Sequence, residues 1–294
     1  MSKPAILSCG EVLWDLFPDG PRFGGAPANF ACHAAILGGA VALLSAVGED
    51  ARGGKAFTIL RGFGIDTSLI QRNCDAPTGS VGVSLDAAGK PTFDIKADSA
   101  WDRIAWNAAL ASRIDGMDAI YFGTLGQRSG ISRSTIQRVL GLAKAKGLLR
   151  VLDVNLRQPF FDAALIRESL ALASVLKLSD DELPEVAAAC GIAMSDNPGN
   201  TLRTVLLHHQ LVLVAMTRGA DGALLVSATE TVDQPGIPVL VRDTVGAGDS
   251  FTVALTMGLL RDDPLSVIAL AACGTASAVC AQSGAVPEFA TPPL

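Results

Sequence analysis

From residue 5 onward, short apolar runs alternate with longer runs poor in helix breakers, and this order constrains the fold more than any other feature of the chain. Ala5–Cys9 has strand character. A helix opens near Phe23-Gly24-Gly25-Ala26-Pro27-Ala28-Asn29-Phe30-Ala31 and runs to about Leu37, where Gly38-Gly39 closes it. Val41–Val47 reads as a strand, Gly53–Gly62 as a helix and Ile65-Asp66-Thr67 as an extended link. Such a βαβα order predicts an α/β protein with a mostly parallel sheet. Two segments interrupt it, Gly79–Asp86 and Pro91–Ile95, which read as antiparallel strands about a turn at Ala87-Ala88-Gly89-Lys90. The winding then resumes. Ala119–Phe122, Leu149–Val154, Ser174–Leu178, Leu211–Met216 and Ala223–Val226 are strand-like, Ser132–Lys146 is a helix closed by Gly147, and Val267–Gln282 is the last helix.

With 294 residues, of which 49% are apolar and 18% charged, the chain has material for one full core, expected as a single domain over 1–294. The net charge of −6 and the lack of Lys/Arg runs argue against nucleic acid or an anionic membrane as partner and leave small molecules. Pro264 to Pro287 carries no charge, but its Ala, Gly, Ser, Thr and Cys content suits a helix packed beneath a ligand pocket better than a membrane span. The first apolar stretch is too short for a secretory signal, so a cytoplasmic location is expected. Six scattered cysteines without a C-x-x-C pair read as reduced thiols, and three histidines show no metal-binding spacing.

Chemistry concentrates in Arg242-Asp243-Thr244-Val245-Gly246-Ala247-Gly248-Asp249-Ser250-Phe251. The apolar run Ile237–Val241 before it reads as a strand and Phe251–Leu260 after it as a helix. Gly246 and Gly248, lacking Cβ atoms, permit a sharp turn and close approach to a ligand. The first N–H groups of a helix have no intrahelical acceptor and lie at the positive end of its dipole, which suits a phosphate. Asp249 beside them would repel a resting anion. It makes sense as the acceptor of a proton from a hydroxyl that attacks phosphorus, with Gly246, Ala247 and Gly248 stabilising the transferring group. The plainer alternative is a helix cap after a glycine turn.

Asp243, Thr244, Gly246, Ala247, Gly248, Asp249 and Phe251 meet every fixed position of D-T-x-G-A-G-D-x-F, and here the chain resembles the ribokinase-like family of sugar and nucleoside kinases. The resemblance implies a Rossmann-like three-layer α/β/α fold, a small β-lid from segments of about 11–23 and 78–103, and phosphoryl transfer from ATP with Mg²⁺. It implies Asp249 as catalytic base, Gly246–Gly248 as anion hole, and a K⁺-type cation site near Asp243 and the Val245 carbonyl. Asp15, set between bulky apolar neighbours in Gly10-Glu11-Val12-Leu13-Trp14-Asp15-Leu16-Phe17-Pro18, is either solvated at a strand end or a holder of sugar hydroxyls, as the family implies. Gly24, Gly25 and Asn29 match the family's second signature and would contact the sugar. Asp153, Asn155 and Arg157 alternate at a strand end, where open α/β sheets collect ligands; Arg157 either neutralises phosphate or forms a surface ion pair.

By the same resemblance Lys177, Ser179, Thr217, Gly219 and Gly222 would line the nucleotide, and Glu182 would hold Mg²⁺ through water, unless the three acids Asp180 to Glu182 only begin a helix. Ser179 stands where the family usually has Asn. Gly10–Phe17, the turn with Pro27, and Asp153–Arg157 look most like the fructokinases, with ribose, 2-keto-3-deoxygluconate and nucleosides as alternative acceptors. A homodimer through the lid is a further expectation. A dinucleotide oxidoreductase is disfavoured, because Gly246–Gly248 lacks the third glycine and the βαβ context; no Walker-type site occurs. A sensor that keeps the fold without catalysis is the remaining alternative of another class.

Overall fold

The computed structural model describes residues 3–85 and 91–287, so the expected turn at 87–90 lies outside the described residues. In chain order the elements are β1 (Ala5–Cys9), β2 (Leu13–Phe17), β3 (Gly20–Gly24), α1 (Ala26–Ile36), β4 (Ala40–Gly48), α2 (Ala51–Gly62), β5 (Ile70–Asn73), β6 (Gly79–Leu85), β7 (Pro91–Ile95), α3 (Ala109–Ile114) and β8 (Ala119–Gly123). There follow α4 (Gly130–Ala145), β9 (Leu149–Asp153), α5 (Ala163–Leu172), β10 (Val175–Ser179), α6 (Leu183–Ala189), α7 (Pro198–His209), β11 (Leu213–Thr217), β12 (Ala223–Ser227), β13 (Thr231–Gln234), α8 (Ala247–Leu260) and α9 (Leu265–Cys280).

A 9-stranded sheet has the order β13-β12-β11-β10-β9-β8-β1-β4-β5, and β2, β3, β6 and β7 form a separate 4-stranded sheet. In the large sheet the run β11-β10-β9-β8-β1-β4-β5 pairs in parallel, and β12 and β13 add antiparallel at one edge. Strand periodicity divides the core in two. Leu7, Leu44 and Phe122 enter one cluster with residues of α3 to α7, while Ile6, Leu43 and Tyr121 enter the other with α1, α2, α8 and α9. Strands buried on both faces need a nearly continuous apolar sequence, which is what the five fully buried residues of β8, AIYFG, supply. The result is the mostly parallel sheet expected from the alternation, in the three-layer α/β/α arrangement that the family resemblance implied.

The chain leaves β1 for β4 on one side and later returns to β8 on the other, so the sheet's topological switch falls between β1 and β8. Crevices at such points open at the strands' carboxyl ends. Gly10, at φ 143°, turns the chain there out of the sheet and into β2, and a Cβ on Gly126 would come within 2.8 Å of its Cα. Residues 10–18 therefore do not extend β1 but cross into the lid. The lid pairs β2 antiparallel to β3 and parallel to β6, with Asp15 opposite Arg22. Its sheet ends at Ile95; Ala100–Arg103 is a 3₁₀ turn whose Ala100 and Trp101 are buried, so the lid is shorter than the expected 78–103.

One expected strand is absent. Ile237–Val241 forms an irregular loop with Leu240 87% exposed, so the glycine turn is entered from a loop. Pro238 in its middle lacks the N–H that a ladder requires, and β13 already occupies that edge. The short β3, β5 and β13 and the helices α3, α5 and α7 had no clear sequence signal, whereas α6 follows Asp180 to Glu182, the helix start that those acids offered. Helix α9 packs tightly on α8, where a Cβ on Gly258 would lie 2.7 Å from Ile268. Among the described residues no helix is long and apolar enough to cross a membrane, and all six cysteines are free.

Gly222 is a structural requirement of the β11–β12–β13 edge. At φ 91° its Cβ would stand 2.1 Å from the Gln234 carbonyl and 2.5 Å from the Gly236 nitrogen. Gly222→Ala is expected to destabilise the fold by about 1–3 kcal/mol or more, the scale of left-handed backbone strain. Gly191→Ala, at φ 66° with nothing within 4 Å, should cost less. Thermal denaturation of the two variants checks the order.

Candidate active site

Helix α8 begins at Gly246, whose left-handed conformation, φ 81°, places the first N–H groups toward the crevice. The turn is held from behind by the segment after α9. A Cβ on Gly246 would be 2.1 Å from the Ala285 carbonyl, so only glycine fits. His33 Nε2, buried in α1, donates to that same carbonyl at 2.8 Å, and the Gly284 N–H donates to Asp243 Oδ2 at 2.9 Å. Asp243 Oδ1 accepts the Val245 N–H at 3.1 Å. The Asp243 carboxylate thus joins the approach loop to the C-terminal segment.

Asp249 lies in the first turn of α8 and accepts a hydrogen bond from Asn29 Nδ2 at 2.9 Å, which links the helix to α1. Burial raises its carboxyl above the usual carboxylate range, against the pull of Asn29, Lys177 and Arg157. A carboxylate so destabilised is a better proton acceptor. Beside it a Cβ on Gly248 would come within 3.1 Å of Lys177 Nζ, so the missing side chain leaves the ammonium room next to the helix end. Lys177 is paired with Asp153 Oδ1 at 3.1 Å in a buried contact. Burial alone would lower Lys177, but Asp153, Glu182 and Asp249 outweigh it and keep it protonated. Thr252 donates toward Asp153 Oδ2 at 3.2 Å and Gly248 O at 2.8 Å, joining the ion pair to α8.

These groups border a cleft of about 540 Å³ between the lid and the carboxyl ends of the sheet. Of the residues expected from sequence, Asp15, Gly25, Asn29, Arg157, Lys177, Val245, Gly246, Gly248 and Asp249 line it. Gly24 lies outside the lining and acts indirectly, since a Cβ there would meet Asp15 Oδ2 at 2.9 Å. Ala247 is the first residue of α8, between two lining glycines. Thr217, Gly219, Gly222 and Ser179 lie beyond the lining, at and after the ends of β10 and β11. Glu182 is also outside it: its Oε1 accepts the Leu156 N–H and its Oε2 the Ser179 N–H, each at 2.7 Å, so the carboxylate ties together the loops after β9 and β10. Among the described residues no group of three or more His, Cys, Asp or Glu is arranged to hold a metal. A separate cleft of about 550 Å³ beside Arg128 shares none of these lining residues.

Sequence reasoning passed over Glu11, Thr252 and Leu125 as site residues, and placed Asp153 at a ligand-collecting strand end without assigning it a role. Glu11 is 2% exposed and lines the cleft, with Oε2 unpartnered. Its position in the Gly10–Asp15 run was the available signal. Thr252 and the Lys177–Asp153 pair come from three distant segments and offered none. Asn155 adopts φ 40° at the turn after β9, which sends the chain on to Arg157 in the cleft.

Burial pushes Asp15 up to about 6, against Arg157 and Arg22, and Glu11 up to about 7. With folded values above unfolded ones, the native state binds more protons between about pH 4 and 7, so these groups make the ligand-free protein more stable as pH falls through that window. Asp15→Asn is expected to raise the thermal midpoint at about pH 8 and flatten its dependence on pH, as removal of a functional strain does. Melting curves across that range check this, and a lower midpoint for the variant at alkaline pH contradicts it.

The geometry is that of an anion-stabilising helix end with a proton acceptor beside it, facing a cleft rich in hydroxyl-binding groups. A sequence model described as pfkB family carbohydrate kinase matches residues 20–291. The chain is 29% identical over 316 residues to a protein named "Probable fructokinase-5" from Arabidopsis thaliana, covering 99% of this chain and 96% of that one. A Vibrio cholerae O395 fructokinase solved with fructose, ADP and calcium ion superposes with a TM-score of 0.82 at 25% identity, over 97% and 96% of the two chains. A Xylella fastidiosa fructokinase with bound ATP shares the fold at a TM-score of 0.85 and 24% identity, over 97% and 94%. The match spans most of the chain and meets a site built for phosphoryl transfer to an alcohol; the chain belongs to the pfkB family of carbohydrate kinases.

Proposed function

We propose that the protein is an ATP-dependent fructokinase in which Asp249 is the base. The observation that carries this is the placement of Asp249 at the start of α8, in one cleft with Asp15, Gly25, Asn29 and Arg157. A sugar hydroxyl gives its proton to the Asp249 carboxylate, whose Oδ2 is oriented by Asn29. The sugar oxygen forms a bond to the γ-phosphorus of ATP as the bond to the ADP oxygen breaks. Charge on the transferring group is stabilised by the N–H groups of Gly246 to Gly248 and by Lys177, with Arg157 available to the phosphates. Asp15 and Asn29 hold the remaining hydroxyls.

The nucleotide fits the helix end through its bare glycines, and Ser179, Thr217 and Gly219 continue the track beyond the cleft along the ends of β10 and β11. Gly222 shapes that turn. A magnesium ion would supply charge neutralisation on the phosphates; Glu182 would reach it only through water, on lone pairs that its two amide partners leave free. A monovalent cation such as K⁺ would lie against the Asp243 carboxylate and the Val245 carbonyl.

The cleft's charges favour a neutral sugar. Asp15 and Asp249 face it with negative charge, and of its lining cations Lys177 is drawn to Asp153 and to the transferring phosphate beside Gly248, which leaves Arg157 to meet an acidic substrate and sets 2-keto-3-deoxygluconate behind fructose. The lid's edge strands β3 and β7 offer backbone for pairing with a second copy, and sedimentation as a dimer checks this.

ATP consumption measured over ketoses, aldoses, keto-deoxy acids and nucleosides tests the substrate, with fructose expected to show the highest kcat/KM. Asp249→Asn should lower kcat by roughly 10²–10⁴, the range for a general base, while ATP affinity measured by calorimetry is kept. Turnover near the wild-type rate would remove Asp249 as the base.

A further inference from the structure

The reaction as described leaves one acid in the cleft without a task. Glu11 follows the turn at the end of β1 and is 2% exposed, yet its Oε2 has no hydrogen-bond partner among the described residues. Glycines make its place. A Cβ on Gly25 would lie 2.7 Å from the Glu11 carbonyl and 3.4 Å from its Cγ, and one on Gly126 would lie 3.3 Å from Oε2.

Burial and the negative Asp249 favour the neutral acid, and they outweigh Arg157, which favours the charged one. From α8 comes the negative Asp249, from β8 the phenol of Tyr121, itself buried and unpartnered, and from the loop after β9 the guanidinium of Arg157. From α1 comes Asn29, whose Oδ1 also has no partner. Among the described residues neither Arg157 nor any other cation forms an ion pair with Glu11. The backbone N–H groups of Glu11 and Ala26 favour the charged form, but they leave Oε2 without a donor; a buried carboxylate oxygen so left is costly, whereas a carboxylic acid has an O–H to give. We propose that Glu11 binds the acceptor sugar as a neutral acid, donating its O–H to a sugar oxygen while the ionised Asp15 and Asp249 accept from sugar hydroxyls. The three acids of the cleft are thereby sorted by environment into one donor and two acceptors. The rise of Glu11 to about 7, caused by burial with Asp249 adding to it, is consistent with that sorting.

This deepens the sugar-kinase function proposed above and rests on it. Loss of the Glu11 proton removes a donor to the sugar, so kcat/KM for fructose should fall as pH rises through about 7. The acid limb belongs to Asp249 and remains. In Glu11→Gln the amide N–H donates at every pH; the variant should stay within about tenfold of wild type near pH 6.5 and lose the alkaline fall. KM for ATP should change by no more than about twofold, because the contact is to the sugar. An unchanged alkaline limb in Glu11→Gln overturns the proposal. Should that variant not fold, calorimetry on the wild type decides: near pH 8, sugar binding measured in buffers of different ionisation enthalpy should show proton uptake, and its absence overturns the proposal equally. A wild type that turns over no sugar with ATP refutes the kinase function instead, while the calorimetric measurement still reports on Glu11 with any sugar that binds.

Discussion

The structure depends on the exposure of one helix end at the bottom of a cleft. The first N–H groups of α8 are available only because Gly246 takes a conformation closed to other residues, with the Ala285 carbonyl occupying the space of its Cβ. That carbonyl is fixed by His33 from α1, and the neighbouring Gly284 by Asp243 from the approach loop. Three segments far apart in sequence thus hold a single turn. The same helix contributes Thr252 to Asp153, which positions the Lys177 ammonium near Gly248. An anion arriving there meets donors already oriented, so little reorganisation is needed.

The cost of this arrangement lies in the acids. Asp15, Glu11 and Asp249 all sit above the usual carboxylate range because burial removes water from them. A fold selected for stability alone would replace such groups with apolar ones. Their retention around a cavity of about 540 Å³ is how a ligand-binding site differs from a core, since a polar ligand's hydroxyls can replace the lost water. The lid belongs to the same logic: it carries Asp15 over the cleft on a sheet separate from the main one, opposite the rigid strand ends.

Legibility followed distance along the chain. The D-T-x-G-A-G-D-x-F stretch puts the glycines, the acid and the helix start within ten residues, and Gly25 to Asn29 is equally local; both pointed to the cleft that they line. Ile237–Val241 misled because apolar composition outweighed Pro238. Helices α5 to α7 are short amphipathic coverings whose pattern is weak beside that of the buried strands. Glu11 was overlooked because an acid two residues past a strand ordinarily meets water, and only the packing of Gly25 and Gly126 around it denies it that.

The alternation of apolar runs and the glycine turns already determined, from the sequence by itself, a mostly parallel sheet with helices between its strands and a helix start that places bare glycine N–H groups beside a carboxylate. Those features arise from backbone periodicity and from the absence of Cβ atoms, which are properties of neighbouring residues. Tertiary structure decided the rest: that Glu182 spends both oxygens on backbone amides, that Lys177 pairs with Asp153 against Gly248, and that Glu11 is sealed into the cleft. Ionisation and pairing depend on which groups share low-dielectric space, and that is set by the packing of segments as distant as β1, β8 and α8.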